Sequence, residues 1–197
     1  MMKKLYIRFL IVAMIIIDLI YIYNAFINQV YDRLPAYFAL FFVLAVPWLV
    51  HKIFKVKIND NMKILYFTFI LFADFGGCVL GLYVTTEWFD KLAHLLSGIL
   101  TAIIALLLMN RFKYKEKKLQ TIIYTLAISS LVAVAWEIFE YSADSFFGMT
   151  LQHNLETGVH DTMGDMIAAV IGNLLFLVLY FSPKHDFFQK FIVKLLP

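Results

Sequence analysis

The chain has 197 residues, of which 62% are hydrophobic and 16% charged, and its mean hydropathy is +0.81. A water-soluble domain of this size cannot hide that much apolar surface, so composition excludes one and indicates an integral membrane protein. The net charge of +3 is the difference between 17 Lys and Arg and 14 Asp and Glu, and where those charges fall along the chain is more informative than their sum.

The first segment, "MMKKLYIRFLIVAMIIIDLIYIY", starts like a secretory signal. Its apolar run is too long for one and ends in Tyr and Asn without a small-residue cleavage site, so it reads as a retained helix over 7–27. Five more apolar runs follow, at about 35–54, 63–83, 91–110, 120–141 and 162–182. Each is close to the length that crosses roughly 30 Å of hydrocarbon at about 1.5 Å per residue. The expected fold is therefore all-α: a polytopic transmembrane helix bundle of about six spans, forming a single integral membrane domain over 1–197. Cys78 is the one cysteine, which excludes an internal disulfide.

The connections set the orientation. Lys3, Lys4 and Arg8 precede or open span 1; Lys52, Lys55, Lys57 and Lys63 lie between spans 2 and 3. Arg111, Lys113, Lys115, Lys117 and Lys118 separate spans 4 and 5, and Lys184, Lys190 and Lys194 follow span 6. Fifteen of the 17 basic residues thus share one side, leaving Arg33 and Lys91 on the other. Basic connections stay cytoplasmic, so both termini are expected inside a multi-pass protein of the cell (plasma) membrane. The basic rim suits anionic headgroups, making membrane lipids the expected partners. Charges scattered over four short segments do not make a nucleic-acid surface. Tyr21, Tyr23, Trp88, Trp136 and Tyr141 fall where interfacial aromatics belong.

Spans 1 and 2 lack a polar stripe and are expected at the periphery. Span 3 carries a small-residue series, Ala73, Gly77 and Gly81, with Asp74 beside it. Asp18 and Asp74 stand near the middle of spans 1 and 3, with no basic residue at that depth. In span 4, Asp90, His94, Gly98, Thr101 and Ala105 share one face, with Ser97 next to it. Span 5 aligns Ser130, Ala133, Glu137, Glu140 and Asp144. Span 6, in "VHDTMGDMIAAVIGN", aligns Asp161, Asp165, Ala168 and Gly172, and Gly164, Ala168 and Gly172 form a close-contact series. The longest outer connection, 142–161, reads as a headgroup-dipping segment or a lid.

Each of these three spans places acids at its outer end and small residues deeper, so the three faces are expected to meet. They bring together Asp90, Glu137, Glu140, Asp161 and Asp165, with His94 and His160 close by. Lys91 is the nearby fixed cation, about 100° round the helix from Asp90. Uncompensated carboxylates in a poorly hydrated site cost several kcal/mol each. Three readings are open: a hydrogen-bonded polar plug, a cation site, and a proton relay. The sharpest is a divalent metal held by Asp90, His94, Glu137, Glu140, Asp161, Asp165 and His160, its identity unspecified. Imidazole mixed with carboxylate suits Zn²⁺, Mn²⁺ or Fe, whereas carboxylates and water alone suit Mg²⁺ or Ca²⁺. His153, Glu156 and Asp144 read as loop or cap residues.

At "DKLAH", "WEIFEY" and "HDTMGDMIAAVIGN" the chain resembles the YjdF-like family of bacterial multi-pass inner-membrane proteins, loosely grouped with VanZ-like proteins. The resemblance covers mainly residues 87–180. It implies a polytopic helical fold and marks Asp90, His94, Glu137, Glu140, Asp161 and Asp165 as this chain's versions of the motif positions. It brings no activity with it. Templates for acid-phosphatase-like lipid phosphatases, alcohol phosphotransferases, rhomboid-type proteases and P-loop ATPases all fail on missing residues. Two functions remain. One is a metal-dependent enzyme on a lipid or lipid-linked headgroup, with Glu137 and Asp165 as its catalytic carboxylates. The other is a proton- or cation-coupled transporter, or an accessory membrane protein with a structural polar cluster.

Overall fold

A computed structural model describes residues 1–31, 33–112, 117–148, 151, 158–182 and 186–195. Of these, 88% are helical and none lies in a strand. Six helices among the described residues are long and apolar enough to cross a membrane: α1 (Met2–Asn28), α2 (Leu34–Phe54), α3 (Asp60–Ile70) with its continuation to Val79, and, after the short α4 (Leu82–Thr85), α5 (Phe89–Arg111), α6 (Lys118–Phe147) and α7 (Gly158–Phe181). Phe9, Leu131, Ile138 and Val178 are each more than half exposed on these helices. Large apolar side chains displayed in this way suit acyl chains rather than water. The protein is a multi-pass membrane protein. Its residues divide into two compact units, Met1–Asp90 with Tyr141–Leu151, and Lys91–Glu140 with Gln152–Pro197.

In the first unit α1 packs on α2 and α3. Ile7, Leu10, Met14 and Asp18 are buried at helical spacing on one face of α1. Leu40 of α2 and Phe67 of α3 are fully buried. Asn59 caps α3, its side-chain oxygen accepting from the Met62 amide at 2.9 Å. The Tyr66 hydroxyl then donates to the Val43 carbonyl at 2.6 Å, tying α3 to α2. Beyond Ile70 the third span widens into a π-helix, Leu71–Val79, closed by the Leu80 amide on the Phe75 carbonyl at 2.9 Å. Gly76 and Gly77, poor helix formers, sit where the turn widens. The span therefore ends at Val79 and not near residue 83. The expected small-residue face is used for a chain reversal instead: the Tyr83 ring of α4 covers Gly77, and Gly81 turns in the left-handed region (φ 81°) against the Arg33 guanidinium.

In the second unit α5 and α7 run in the same direction and touch backbone to backbone. A methyl at Gly98 would run into the Ala169 carbonyl, and one at Gly172 into the Leu95 carbonyl. This is the close approach that small residues allow between helices in a bilayer. Helix α6 runs the other way. Its Ser129 hydroxyl accepts from Thr101 of α5 at 2.9 Å, and its Thr125 carbonyl accepts from the Asn173 amide of α7 at 3.0 Å. The buried line of α6 is Thr121, Thr125, Ser129, Ala133, Glu137 and Glu140, so the inward serine is Ser129 and not Ser130. On α7, Ala169 is buried at the contact and Ala168 is only half-buried.

The connection after α6 is much shorter than 142–161. Helix α6 continues to Phe147, where Gly148 turns it off (φ 64°), and α7 begins at Gly158. Asp144 serves this end as a cap, its carboxylate accepting from the Leu151 amide at 2.7 Å. His153 and Glu156 lie outside the described residues, as do 149, 150 and the rest of 152–157 in the segment read as a lid. A short helix, α8 (Asp186–Leu195), follows the last span.

Candidate functional site

From Lys91 on, α5 belongs to the second unit, where it and α7 run from the same end. The first turns of α5 carry Asp90, Lys91 and His94; those of α7 carry Asp161 and Asp165. The unpaired amides of two helix N-termini give partial positive charge, which favours carboxylates there. The backbone contacts at Gly98 and Gly172 then hold these first turns within side-chain reach of one another.

Lys91 is the hub. Its ammonium donates to Asp161 Oδ1 at 2.6 Å and to Asp165 Oδ1 at 2.8 Å, and lies 3.4 Å from the Asp161 carbonyl. The stem crosses α7 at Gly164, where a methyl would come within 3.1 Å of Lys91 Cε. His94 Nε2 stands 3.7 Å from the same Asp165 Oδ1. Asp165 is 1% exposed, and His94 and Asp90 are also buried. Asp90 precedes His94 by one turn of an unbroken helix, so helix geometry sets it on the same face. Asp90, His94 and Asp165 each offer one ligand atom, all within 4.8 Å of one another.

The expected set thus separates into parts. Asp90, His94 and Asp165 converge. Asp161 is bound to Lys91 and is partly exposed. Glu137 and Glu140 are buried on α6, and Glu140 accepts from the Trp136 indole at 2.7 Å. His160 is exposed on the first turn of α7. Among the described residues, Asp90, His94 and Asp165 form the group with ligand atoms in mutual reach.

The reading of five unpaired acids, with Lys91 turned aside, is corrected by the pairing of Lys91 with Asp161 and Asp165. The Lys91 Cα is turned away from Asp90, but a four-carbon stem reaches sideways to the neighbouring helix. The residues that sequence reasoning missed were Lys91 as an ion-pair donor and the Thr121, Thr125 and Ser129 line on α6. A signal for the second was present, since hydroxyl residues at four-residue spacing continue the Glu137 face toward the start of the helix.

Taken together, these features define a class: an all-helical polytopic membrane protein with a buried Asp–His–Asp cluster at one end of its later helices. The chain belongs to the family described as "Predicted membrane protein (DUF2238)", which matches residues 6–185. No curated protein and no solved structure matches it.

Proposed function

We propose that this protein binds a divalent metal ion through Asp90, His94 and Asp165 at its extracytoplasmic face and uses it as an enzyme on a lipid or lipid-linked headgroup. The observation that supports this most is the convergence of one imidazole and two carboxylates, all buried, within 4.8 Å. Buried ionisable groups in membrane helices are functional by default. A nitrogen-and-oxygen donor set suits Zn²⁺, Mn²⁺ or Fe. Charge supports the same reading: three carboxylates (Asp90, Asp161, Asp165) and one ammonium (Lys91) leave a formal charge of two to be balanced.

In this reading Lys91 holds Asp161 and orients Asp165, while Asp90, His94 and Asp165 would hold the metal. The metal would polarise a phosphoryl or carbonyl oxygen or activate water. Glu137 is assigned as the general base, with Glu140, Asp161 and His160 as supporting groups. The likeness of residues 87–180 to YjdF-like and VanZ-like proteins, and residence in a bacterial plasma membrane, belong to the same proposal.

The test is metal content of detergent-purified protein. Wild type should carry close to one equivalent after loading with Zn²⁺ or Mn²⁺, and Asp165→Asn and His94→Ala should lose it while eluting as the wild type does. Wild type that binds no metal, or variants that bind it equally well, would rule the site out. Turnover of outer-leaflet lipids in proteoliposomes, set against ion flux, then separates the enzyme from a cation-coupled transporter.

A further inference from the structure

The first unit holds a second set of acids that the outer cluster does not use. Asp18, in the middle of α1, is 0% exposed, and Asp74, in the π-helical segment that α1 packs against, is 6% exposed. Both Asp18 carboxyl oxygens and Asp74 Oδ2 are shut off from the surface without a hydrogen-bond donor among the described residues. The two carboxyls are within electrostatic range of each other.

Among the described residues, neighbouring groups of this unit do not supply a counter-charge. Tyr66 is within electrostatic reach of Asp74, but its hydroxyl is committed to the Val43 carbonyl. The Tyr21 and Tyr37 rings pack against each other at a tilt, with centroids 5.9 Å apart. Arg8 precedes Asp18 by ten residues on α1 and Lys63 precedes Asp74 by eleven on the third span, distances of about 15 Å along a helix. Arg33, His51 and Lys52 stand at the ends of α2.

We propose that Asp18 and Asp74 form an intramembrane site for one small monovalent cation, a proton or a sodium ion. Two buried carboxyls with three of their four oxygens shut off from any donor cost several kcal/mol unless a cation offsets them. A divalent ion is the poorer occupant, because Mg²⁺ and Ca²⁺ demand six or more oxygens and two carboxyls on regular helices do not replace that shell. The π-helix is the second, independent sign. Such segments recur at functional sites, and this one carries Asp74 in its first turn. The site rests on none of the residues of the outer cluster.

The experiment is labelling by dicyclohexylcarbodiimide of wild-type protein in proteoliposomes, located by peptide mass. The carboxyl O–H adds across one N=C bond of the reagent, and the O-acylisourea rearranges to an N-acylurea with every atom retained. Label is expected on Asp18 or Asp74 and is expected to respond to the occupant. Loss of label as pH rises, with no effect of Na⁺, identifies the proton; protection by Na⁺ and not K⁺ at constant pH identifies sodium. The Asp18→Asn and Asp74→Asn variants should each remove this response. Absence of label at both positions, or label indifferent to both pH and Na⁺, overturns the proposal in favour of two permanently neutral structural carboxyls.

Discussion

Lys91 and Asp165 show how a single long side chain changes the meaning of a site. On α5 alone the lysine points about 100° away from Asp90 and looks like a bystander. On the folded protein its ammonium is the donor that holds Asp161 at 2.6 Å and Asp165 at 2.8 Å. Asp165 is 1% exposed, so removing its partner leaves a buried group short of a donor, at a cost of about 1–3 kcal/mol. Lys91→Met should therefore lower the thermal midpoint in detergent, and Lys91→Arg should lower it less. If the metal reading holds, Zn²⁺ or Mn²⁺ should stabilise Lys91→Met more than wild type, because the cation replaces the lost ammonium. Equal midpoints for Lys91→Met and wild type would show that the pair contributes nothing.

At the level of helices, the contact between α5 and α7 is the one that assembles the cluster. Gly98 and Gly172 each leave no room for a methyl against the partner backbone, and backbone cannot move aside as a side chain can. Gly98→Ala and Gly172→Ala should each cost about 1–3 kcal/mol of unfolding free energy. Gly164→Ala meets only the flexible Lys91 stem, at 3.1 Å, and should cost clearly less. Unfolding of the three variants in mixed micelles checks the ranking; equal losses would mean that the two helices do not close on those glycines. A contact between α5 and α6 sets the polar line of α6 one residue from the Ser130 face. A helix seen in isolation permits either Ser129 or Ser130 on the Glu137 face, since 3.6 residues per turn lets a stripe drift. The Thr101 hydroxyl decides for Ser129.

For the molecule as a whole, fifteen of 17 basic residues on one side predict that both termini are cytoplasmic. Reporter fusions at the two ends should report the inside, and one inserted in the 148–157 connection the outside; any other pattern would move the acidic cluster to the cytoplasmic surface. The existence of six spans, their approximate limits and the membrane class were legible from hydropathy and length, because a 30 Å slab of hydrocarbon imposes its thickness directly on the chain. The faces of α5 and α7 were legible for the same kind of reason, as helical periodicity places Asp90 with His94 and Asp161 with Asp165 whatever surrounds them. Which acids converge was not legible. That depends on how near α7 comes to α5 and on a lysine stem that spans the gap. Each of these is set by contacts between residues distant in the chain, for which local pattern carries no record.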